Sequence, residues 1–262
     1  YVLNKLSSTD DRIVYVSDKK TNQVLRIEDK PSYSVLDQLI VGLDTNDRLG
    51  DVIAISRNGN HFAASTENGD AVVGYALENN RWEYRGFYSS TQFASVSSLS
   101  VTDDGEIGIG WSKHYLRGTS SLQDYGTLQI IKFIPQISAY VNIKPDIIQL
   151  EGSTNPETSQ FGSSIDISNN GDRVVVGAPS NQANTNGTLK GAVYVYDWDS
   201  ANFKWDLVGD IITNPTSSSL GRSVSINDEG TYIAVGDDNS SLFYRNGGAV
   251  YVYSLVNSAW EI

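Results

Sequence analysis

Side chains that could perform acid–base or nucleophilic chemistry are scarce in this 262-residue chain. It has two histidines, His61 and His114, and no cysteine, which excludes thiolate nucleophiles, disulfides and cysteine-based zinc sites. No His-Glu-x-x-His, Gly-x-Ser-x-Gly or phosphate-loop sequence occurs. The acidic pairs Asp103-Asp104 and Asp237-Asp238 are adjacent in sequence, where carboxylates more often serve turns than face each other across a cleft. The sequence therefore predicts a protein that is not an enzyme.

Residue types that dominate binding surfaces are concentrated in three segments of the second half of the chain. We predict that these segments form a binding rim for a protein or a glycan. The candidate residues are Trp111, His114, Tyr115, Arg117, Asn181, Asn184, Asp237, Phe243, Tyr244 and Arg245. An alternative interpretation is that the segments fold over the top of the domain and that their aromatic side chains simply pack there.

The charge of the chain limits the partners of such a rim. The sequence contains 31 acidic and 19 basic residues and has a formal net charge of -12. This charge opposes binding to nucleic acid and to anionic membrane surfaces, whereas neutral, cationic and glycan partners stay open. No apolar run is long enough for membrane insertion, and we expect the sequence as given to be soluble. Because the chain lacks methionine, we also expect a processed product or a piece of a longer protein.

The three segments are positioned by a repeated unit. Residues 161–171 and 191–196 are echoed by residues 220–230 and 248–253. Self-similarity on this scale indicates an array of one supersecondary unit. The sequence thus predicts a repeat architecture before any single residue is interpreted.

The clearest copy of the repeat predicts four consecutive antiparallel strands. Residues 163–168 alternate between polar and apolar types, and Asn170-Gly171 supplies the positive φ that a tight turn into the second strand requires. Two further strands follow at residues 191–197 and 204–208. Four strands in about 50 residues correspond to one propeller blade.

We therefore predict an all-β fold, a β-propeller of four-stranded antiparallel blades that forms one domain over residues 1–262. Five blades are visible, and they form either the whole propeller or part of a larger one. The predicted blades span residues 1–46, 47–90, 91–154, 155–215 and 216–262. Trp82, Trp205 and Trp260 share one position in the fourth strands, which favours packing between blades over a sugar-stacking platform.

Three motifs resemble the FG-GAP repeat of integrin α-subunit propellers and of related surface proteins. They are Phe161-Gly162, Gly177-Ala178-Pro179 and the strand Gly191–Tyr196. The resemblance is strong from residue 161 onward and weaker in the first and third copies. It implies an extracellular or surface-exposed protein of a cell or virion, with a recognition, adhesion or structural function. The alternative is a secreted carbohydrate-active enzyme on the same scaffold, which would need two carboxylates about 5 to 10 Å apart in a pocket.

Integrin-type repeats hold calcium in an Asp-rich loop between the first two strands. The corresponding connections here are residues 102–106, 168–172 and 227–231, which are too short to surround a cation that needs six or more oxygen ligands. We therefore predict no metal and no cofactor, and calcium is not favoured.

The connection between the second and third strands varies among the copies. Measured from the turn to the third strand, it covers residues 10–22 and 59–70 in the first two copies. It lengthens to residues 105–126, 171–191 and 230–248 in the last three. Insertions in repeat proteins commonly lie on the binding face, so the length difference predicts the same rim as the composition does.

Overall fold

A computed structural model describes most of the chain. The described residues are 5–8, 13–18, 23–28, 34–41, 49–66, 71–79, 81–90, 93–115, 122–123, 126–148, 159–180, 191–214, 217, 219–240 and 247–262. Within them the secondary structure is β-sheet, apart from one short 3-10 helix at Pro135–Ile137. The predicted all-β fold class is confirmed.

The strands form five antiparallel sheets, and within each of them consecutive strands of the repeat are hydrogen-bonded neighbours. Blade 1 contains β1 (Lys5–Ser8), β2 (Ile13–Asp18), β3 (Gln23–Glu28) and β4 (Ser34–Val41). Blade 2 contains β5 (Ile53–Ile55), β6 (His61–Ser65), β7 (Ala71–Glu78) and β8 (Arg81–Ser89). Blade 3 contains β9 (Phe93–Val101), β10 (Glu106–Tyr115), β11 (Leu122–Gln123), β12 (Thr127–Ile134), β13 (Ala139–Asn142) and β14 (Ile147–Ile148). Its two short strands, β11 and β14, pair with β10 and β12.

The last two blades have the predicted four strands each. Blade 4 contains β15 (Ser164–Ile167), β16 (Arg173–Ala178), β17 (Ala192–Asp199) and β18 (Lys204–Leu207). Blade 5 contains β19 (Ser223–Ile226), β20 (Tyr232–Asp237), β21 (Ala249–Val256) and β22 (Ala259–Glu261). The first strands of successive blades contact one another in chain order, as the inner strands of a propeller do.

Tight turns join the first two strands of blades 2 to 5, as the sequence predicts. In blade 4 the Ser168 amide donates to the Arg173 carbonyl, and the Gly171 amide donates to the Ser168 carbonyl, both at 2.9 Å. Gly171 has φ of 74°, a left-handed conformation that favours glycine. The turn leaves little backbone between the strands, which keeps the two strands in register.

Most of the hydrophobic core lies between blades, because each strand directs alternate residues to its two faces. In blade 4, Val174 and Tyr194 pack towards blade 3, while Val175, Val193 and Val195 pack towards blade 5. These five side chains are at most 2% exposed. Burying one such apolar side chain contributes about 1.5 to 3 kcal/mol, so the inter-blade faces hold the domain together.

A two-residue corner at the start of blades 4 and 5 forms the joint with the preceding blade. The corner side chains, Phe161 and Leu220, are fully buried at 0% exposure. The carbonyl of Gly162, the second residue of the first corner, accepts hydrogen bonds from the blade 3 hydroxyls of Ser97 at 2.7 Å and Ser98 at 2.9 Å. Each corner therefore contributes a buried apolar side chain and a hydrogen-bonded carbonyl to the contact with the preceding blade.

Glycines in the second strand let the corner carbonyl come close. A Cβ atom placed on Gly110 of blade 3 would lie 2.1 Å from the Gly162 oxygen. Likewise, a Cβ atom on Gly177 of blade 4 would lie 2.1 Å from the Gly221 oxygen, which accepts a hydrogen bond from Ser164 Oγ at 2.8 Å. Any larger residue at these two positions would push the blades apart.

The fourth-strand tryptophans pack within and between blades. Trp82 is buried in a cluster that combines residues of blade 2 with Ile40 of blade 1. Trp205 and Trp260 are half-buried, and their Nε1 atoms donate to the carbonyls of Pro145 at 3.1 Å and Val208 at 3.2 Å. The packing hypothesis for these residues is confirmed.

Candidate functional site

The antiparallel strands give the domain two distinct ends. The turn end carries the connections from the first to the second strand, such as residues 168–172 of blade 4. The loop end carries the connections from the second to the third strand, such as residues 179–191. The predicted binding rim belongs to the loop end.

Strand boundaries preserve the predicted difference in connection length at the loop end. The second and third strands are joined by residues 19–22 in blade 1 and residues 66–70 in blade 2. In blades 3, 4 and 5 they are joined by residues 116–126, 179–191 and 238–248. Three consecutive blades thus carry long connections at the same end.

Trp111 does not belong to the rim, and its prediction as a binding residue is wrong. Strand β10 continues through Tyr115, so Trp111 follows Ile107 and Ile109 on the face that packs into the core. Its side chain is 0% exposed, and its Nε1 atom donates to Oε1 of Gln129 at 2.8 Å. The residue stabilises blade 3.

The prediction that Asp237 is a binding residue of the rim is also wrong. Asp237 lies at the end of β20 with 1% exposure, so it does not face a partner at the surface. Its Oδ1 atom accepts hydrogen bonds from Ser219 Oγ at 3.0 Å and from the Asn239 amide at 3.2 Å. Because Ser219 directly precedes the Leu220-Gly221 corner, Asp237 supports the joint.

His114 and Tyr115 lie in a strand and not in the predicted loop. In β10 they pair with Gln123 and Leu122 of β11, which extends blade 3 at its loop end. The other predicted rim residues lie outside the described residues and remain predictions: Arg117, Asn181, Asn184, Phe243, Tyr244 and Arg245.

The turn end contains a polar cavity that the sequence analysis missed. Its volume is about 290 Å³, and it lies on the axis where the inner strands of blades 2 to 5 meet. The polar residues that line it include Arg57, Ser100, Asp166, Asn169, Ser225 and Asp228.

Asp166 is the central group of this axial cavity. Its carboxylate accepts hydrogen bonds from Ser100 Oγ at 2.8 Å, Ser225 Oγ at 3.0 Å and the amides of Ile167 at 3.0 Å and Ile226 at 2.9 Å. Burial raises the pKa of the carboxyl above its ordinary value, and the four donors partly offset that effect. Because the donors come from blades 3, 4 and 5, Asp166 ties three blades together.

Turn residues extend this network across the end of the domain. The Asn58 amide donates to Asp103 Oδ1 at 2.8 Å, and the Asp103 amide donates to Asn169 Oδ1 at 3.2 Å. The Asn169 amide donates to the Asp228 carbonyl at 3.3 Å, and the Asp228 carboxylate forms an ion pair with Arg57. The turns of blades 2 to 5 are therefore linked to one another.

The two acidic groups of the axial cavity are both engaged by protein donors. Asp166 has four hydrogen-bond donors, and Asp228 has the guanidinium of Arg57. A general acid must instead direct a proton towards a substrate. This arrangement is suited to holding blades in place.

A second cavity of about 470 Å³ lies between blades 2 and 3 at the turn end. Its charged side chains form ion pairs with one another, Lys132 with Asp104 at 2.6 Å and Arg85 with Glu78. Burial lowers the pKa of His61, which also lines this cavity, while the nearby Asp104 carboxylate acts in the opposite direction. Within the described parts of the chain, no three acidic or histidine side chains are grouped to hold a metal ion.

The sequence of blade 4 matches a known family over residues 155–196, that of the FG-GAP repeat. Blade 4 is therefore similar to an FG-GAP repeat over these residues. A search of curated proteins finds no match to the chain. In the described residues, no helix has the length and apolar character needed to cross a bilayer.

Solved structures show the fold of the whole chain. The chain is similar to a functionally unknown protein from Desulfotomaculum acetoxidans, with 13% identity, a TM-score of 0.63 and coverage of 100% of this chain and 69% of that one. It is similar to the Cps50 (Swd1) β-propeller domain of Myceliophteria thermophila, with 9% identity, a TM-score of 0.61 and coverage of 97% and 65%. Hydrazine synthase of Kuenenia stuttgartiensis gives 14% identity, a TM-score of 0.58 and coverage of 97% and 63%. The fold is a β-propeller, and the chain spans less than two thirds of the length of the last two proteins.

The inter-blade joint gives the FG-GAP signature of blade 4 a physical role. Phe161-Gly162 is the corner that enters blade 3, with a buried ring and a shared carbonyl. Gly177, in the second part of the signature, leaves room for the carbonyl of the next corner. In this chain, the residues of the signature therefore connect blade 4 to both neighbouring blades.

Proposed function

We propose that this chain is a non-enzymatic recognition module, an FG-GAP-type propeller that binds a protein or glycan at its loop end. The observation that carries the proposal is the length difference between connections. Residues 116–126, 179–191 and 238–248 connect the second and third strands of three consecutive blades at one end, and in each of these blades the two connected strands pair antiparallel.

The contrast with the turn end supports this choice of binding face. There the turns are short, and the backbone amides of Asn58 and Asp103 donate to the side chains of Asp103 and Asn169 in the neighbouring turns. Ser100 of the adjoining inner strand donates to Asp166. A surface whose polar groups are satisfied internally has little to offer a partner, because a ligand would have to break bonds already made. Variable connections on a fixed scaffold are the usual location of binding residues.

The chemistry of the loop-end residues indicates the class of ligand. Tyr115, Arg117, Phe243 and Tyr244 belong to types that dominate interface energies, and the amides of residues 181–186 suit sugars or peptide backbone. With a net charge of -12, a neutral or cationic partner is favoured over a polyanion. In line with its FG-GAP repeat, we place the protein on the surface of a cell or virion.

An enzymatic function on the same scaffold is less well supported. One similar structure is that of hydrazine synthase, but a sequence identity of 14% is evidence for a shared fold and not for a shared activity. In the axial cavity the carboxylates of Asp166 and Asp228 are engaged by protein donors. Glycoside hydrolysis would need one of two carboxylates free to protonate a leaving group.

A pair of surface variants tests the proposal. The loop-end variant replaces Tyr115, Arg117, Phe243 and Tyr244 by Ala. The turn-end control replaces Ile137 and Phe203, which are 60% and 63% exposed. Both variants and the parent chain are applied to an array of glycans and extracellular-matrix proteins, and thermal unfolding is measured in parallel.

The proposal expects the parent and the control to bind the same ligand, and the loop-end variant to lose at least about tenfold in affinity, or about 1.4 kcal/mol. Its Tm should stay within about 2 °C of the parent value. A large fall in Tm would instead support the interpretation that the segments cover the domain. Equal loss of binding in the turn-end control would also contradict the proposal.

A further inference from the structure

The last blade leaves one face uncovered, and that face is covered in the two blades before it. The series is defined by two apolar residues of the third strand, which face the following blade. They are Leu128 and Ile130 in blade 3, each 1% exposed, and Val193 and Val195 in blade 4, at 0% and 2%. The equivalent residues of blade 5, Val250 and Val252, are 72% and 57% exposed. The apolar face of the third strand is thus buried in blades 3 and 4 and exposed in blade 5.

In blades 3 and 4 this face receives the corner of the next blade in a socket built from one serine and two glycines. In blade 4 they are Ser164, Gly177 and Gly191. The Leu220-Gly221 corner enters it, with Ser164 Oγ donating to the Gly221 carbonyl at 2.8 Å. A Cβ atom on Gly191 would lie 2.2 Å from the Leu220 oxygen, so the glycine is needed for the fit.

The socket of blade 3 is built in the same way. Ser98 Oγ donates to the Gly162 carbonyl at 2.9 Å. A Cβ atom would lie 2.1 Å from the Gly162 oxygen if placed on Gly110, and 1.5 Å from the Phe161 oxygen if placed on Gly126. Two successive joints therefore use one serine and two glycines at the same positions of the blade.

Blade 5 also has one serine and two glycines at the equivalent positions, Ser223, Gly236 and Gly248. Together with Val250 they line an open cavity of about 470 Å³. The three atoms nearest to a Cβ atom placed on Gly236 all belong to Ser223 of the same blade, at 2.2 Å and beyond. Within the described residues Ser223 Oγ has no acceptor. The blade 5 socket is complete in its residues and has no corner in it.

We propose that the blade 5 socket receives the leading corner, a Phe-Gly or Leu-Gly dipeptide, of a blade additional to the five described here. We infer the occupant from the two filled sockets. The sockets of blades 3 and 4 hold the Phe161-Gly162 and Leu220-Gly221 corners, and each corner is followed by an apolar strand face. The inference does not depend on the recognition function proposed for the loop end.

A second folded copy of this chain is a poor occupant. Its corner residues Leu49, Phe161 and Leu220 are 1%, 0% and 0% exposed, so each is already buried. The occupant is therefore a blade from outside these five.

Matched glycine substitutions test whether the blade 5 socket is empty in the 262-residue chain. Gly177→Ala places a Cβ atom 2.1 Å from the Gly221 carbonyl oxygen of the next blade, whereas the nearest contact of a Cβ atom at Gly236 is the hydroxyl of the exposed Ser223. We expect Gly177→Ala to lower the Tm by roughly 5 °C and Gly236→Ala by about 1 °C or less. Equal losses would show that the chain fills this socket itself and would overturn the proposal.

An extended chain tests the occupant. A second copy of residues 208–262 is appended after Ile262, so that Trp260-Glu261-Ile262 takes the place of Trp205-Asp206-Leu207 before the connector. The added blade brings a Leu-Gly corner of its own. We expect a Tm increase of roughly 5 °C, resistance of the new segment to protease, and a loss in Tm from Gly236→Ala that rises to that of Gly177→Ala.

Two results would overturn the assignment. One is an appended segment that stays protease-sensitive and leaves the effect of Gly236→Ala unchanged. The other is a dimer of the unextended chain, seen by light scattering, that Val250→Asp dissociates, because the face would then be an interface between two copies.

Discussion

Blades 4 and 5 carry nearly the same strands but differ in their burial. Both contain the run Ala-Val-Tyr-Val-Tyr, at residues 192–196 and 249–253. In blade 4 its first two valines are buried by the next blade, and in blade 5 they are exposed. The tyrosines of the run, on the opposite face, pack against the preceding blade in both copies. The strand sequence therefore provides an apolar face in both blades, and the presence of a neighbouring blade decides whether that face is buried.

The largest effect is expected from a charge placed on the two equivalent valines. Val193→Asp buries a carboxylate without a partner in the joint between blades 4 and 5, which should cost about 4 kcal/mol or more. Val250→Asp places the same charge on an exposed face and should change the free energy of unfolding by about 0.5 kcal/mol or less. Urea titration of both variants measures the difference. Similar losses would remove the distinction between the two blades.

The corner should be the next most sensitive feature. Phe161→Ala removes a fully buried ring from the joint between blades 3 and 4 and should cost about 3 to 5 kcal/mol. The matched control is Phe203→Ala, because that ring is 63% exposed, and a loss of about 1 kcal/mol or less is expected. Chemical denaturation reports both values. A small loss for Phe161→Ala would mean that the corner does not hold the blades.

Asp166 should rank third. Asp166→Ala removes the acceptor for Ser100, Ser225 and the Ile226 amide, and we expect a loss of about 2 to 3 kcal/mol. Asp206→Ala removes an exposed carboxylate paired with Lys204 and should cost about 0.5 kcal/mol or less. Equally small losses for the two substitutions would show that the hydrogen bonds of Asp166 do not hold the blades together.

The smallest effect concerns pH and His61. Because burial holds the pKa of folded His61 below the unfolded value, the unfolded chain binds the proton first as the pH falls. Stability from this residue is therefore complete above about pH 6.5 and is lost as the pH falls from there towards the folded pKa. NMR titration should give His61 a pKa below its ordinary value, and His61→Gln should flatten the pH dependence of unfolding in this window. A pKa of folded His61 above the ordinary value would contradict this prediction, because stability would then fall as the pH rises.

The repeat made much of the fold predictable from the sequence. Alternation around Ile165 and Ile167 and the turn at Asn170-Gly171 specify local structure, so the strands and hairpins of blade 4 could be predicted. The family resemblance supplied the arrangement of the blades. Both kinds of information are local or repeated, which is why they are visible in a single sequence.

The candidate site was less predictable because its contacts are long-range. Asp166 lies in an ordinary alternating strand, and its partners Ser100 and Ser225 come from other blades, so nothing local distinguishes it from a solvent-facing residue. The error at Trp111 was avoidable, since it continues the alternation of Ile107 and Ile109. At Asp237, burial depends on Ser219 and the corner next to it, which only the packed structure reveals.

The central claim is that the face covered in blade 4 is open in blade 5, and the absence of cysteine makes a direct measurement simple. Val193→Cys and Val250→Cys each introduce a single thiol at equivalent positions, and labelling by a thiol reagent is timed under native conditions. Cys at position 250 should react within about tenfold of the rate in the unfolded chain, and Cys at position 193 at least about 100-fold more slowly. Equal protection of the two thiols would contradict the account.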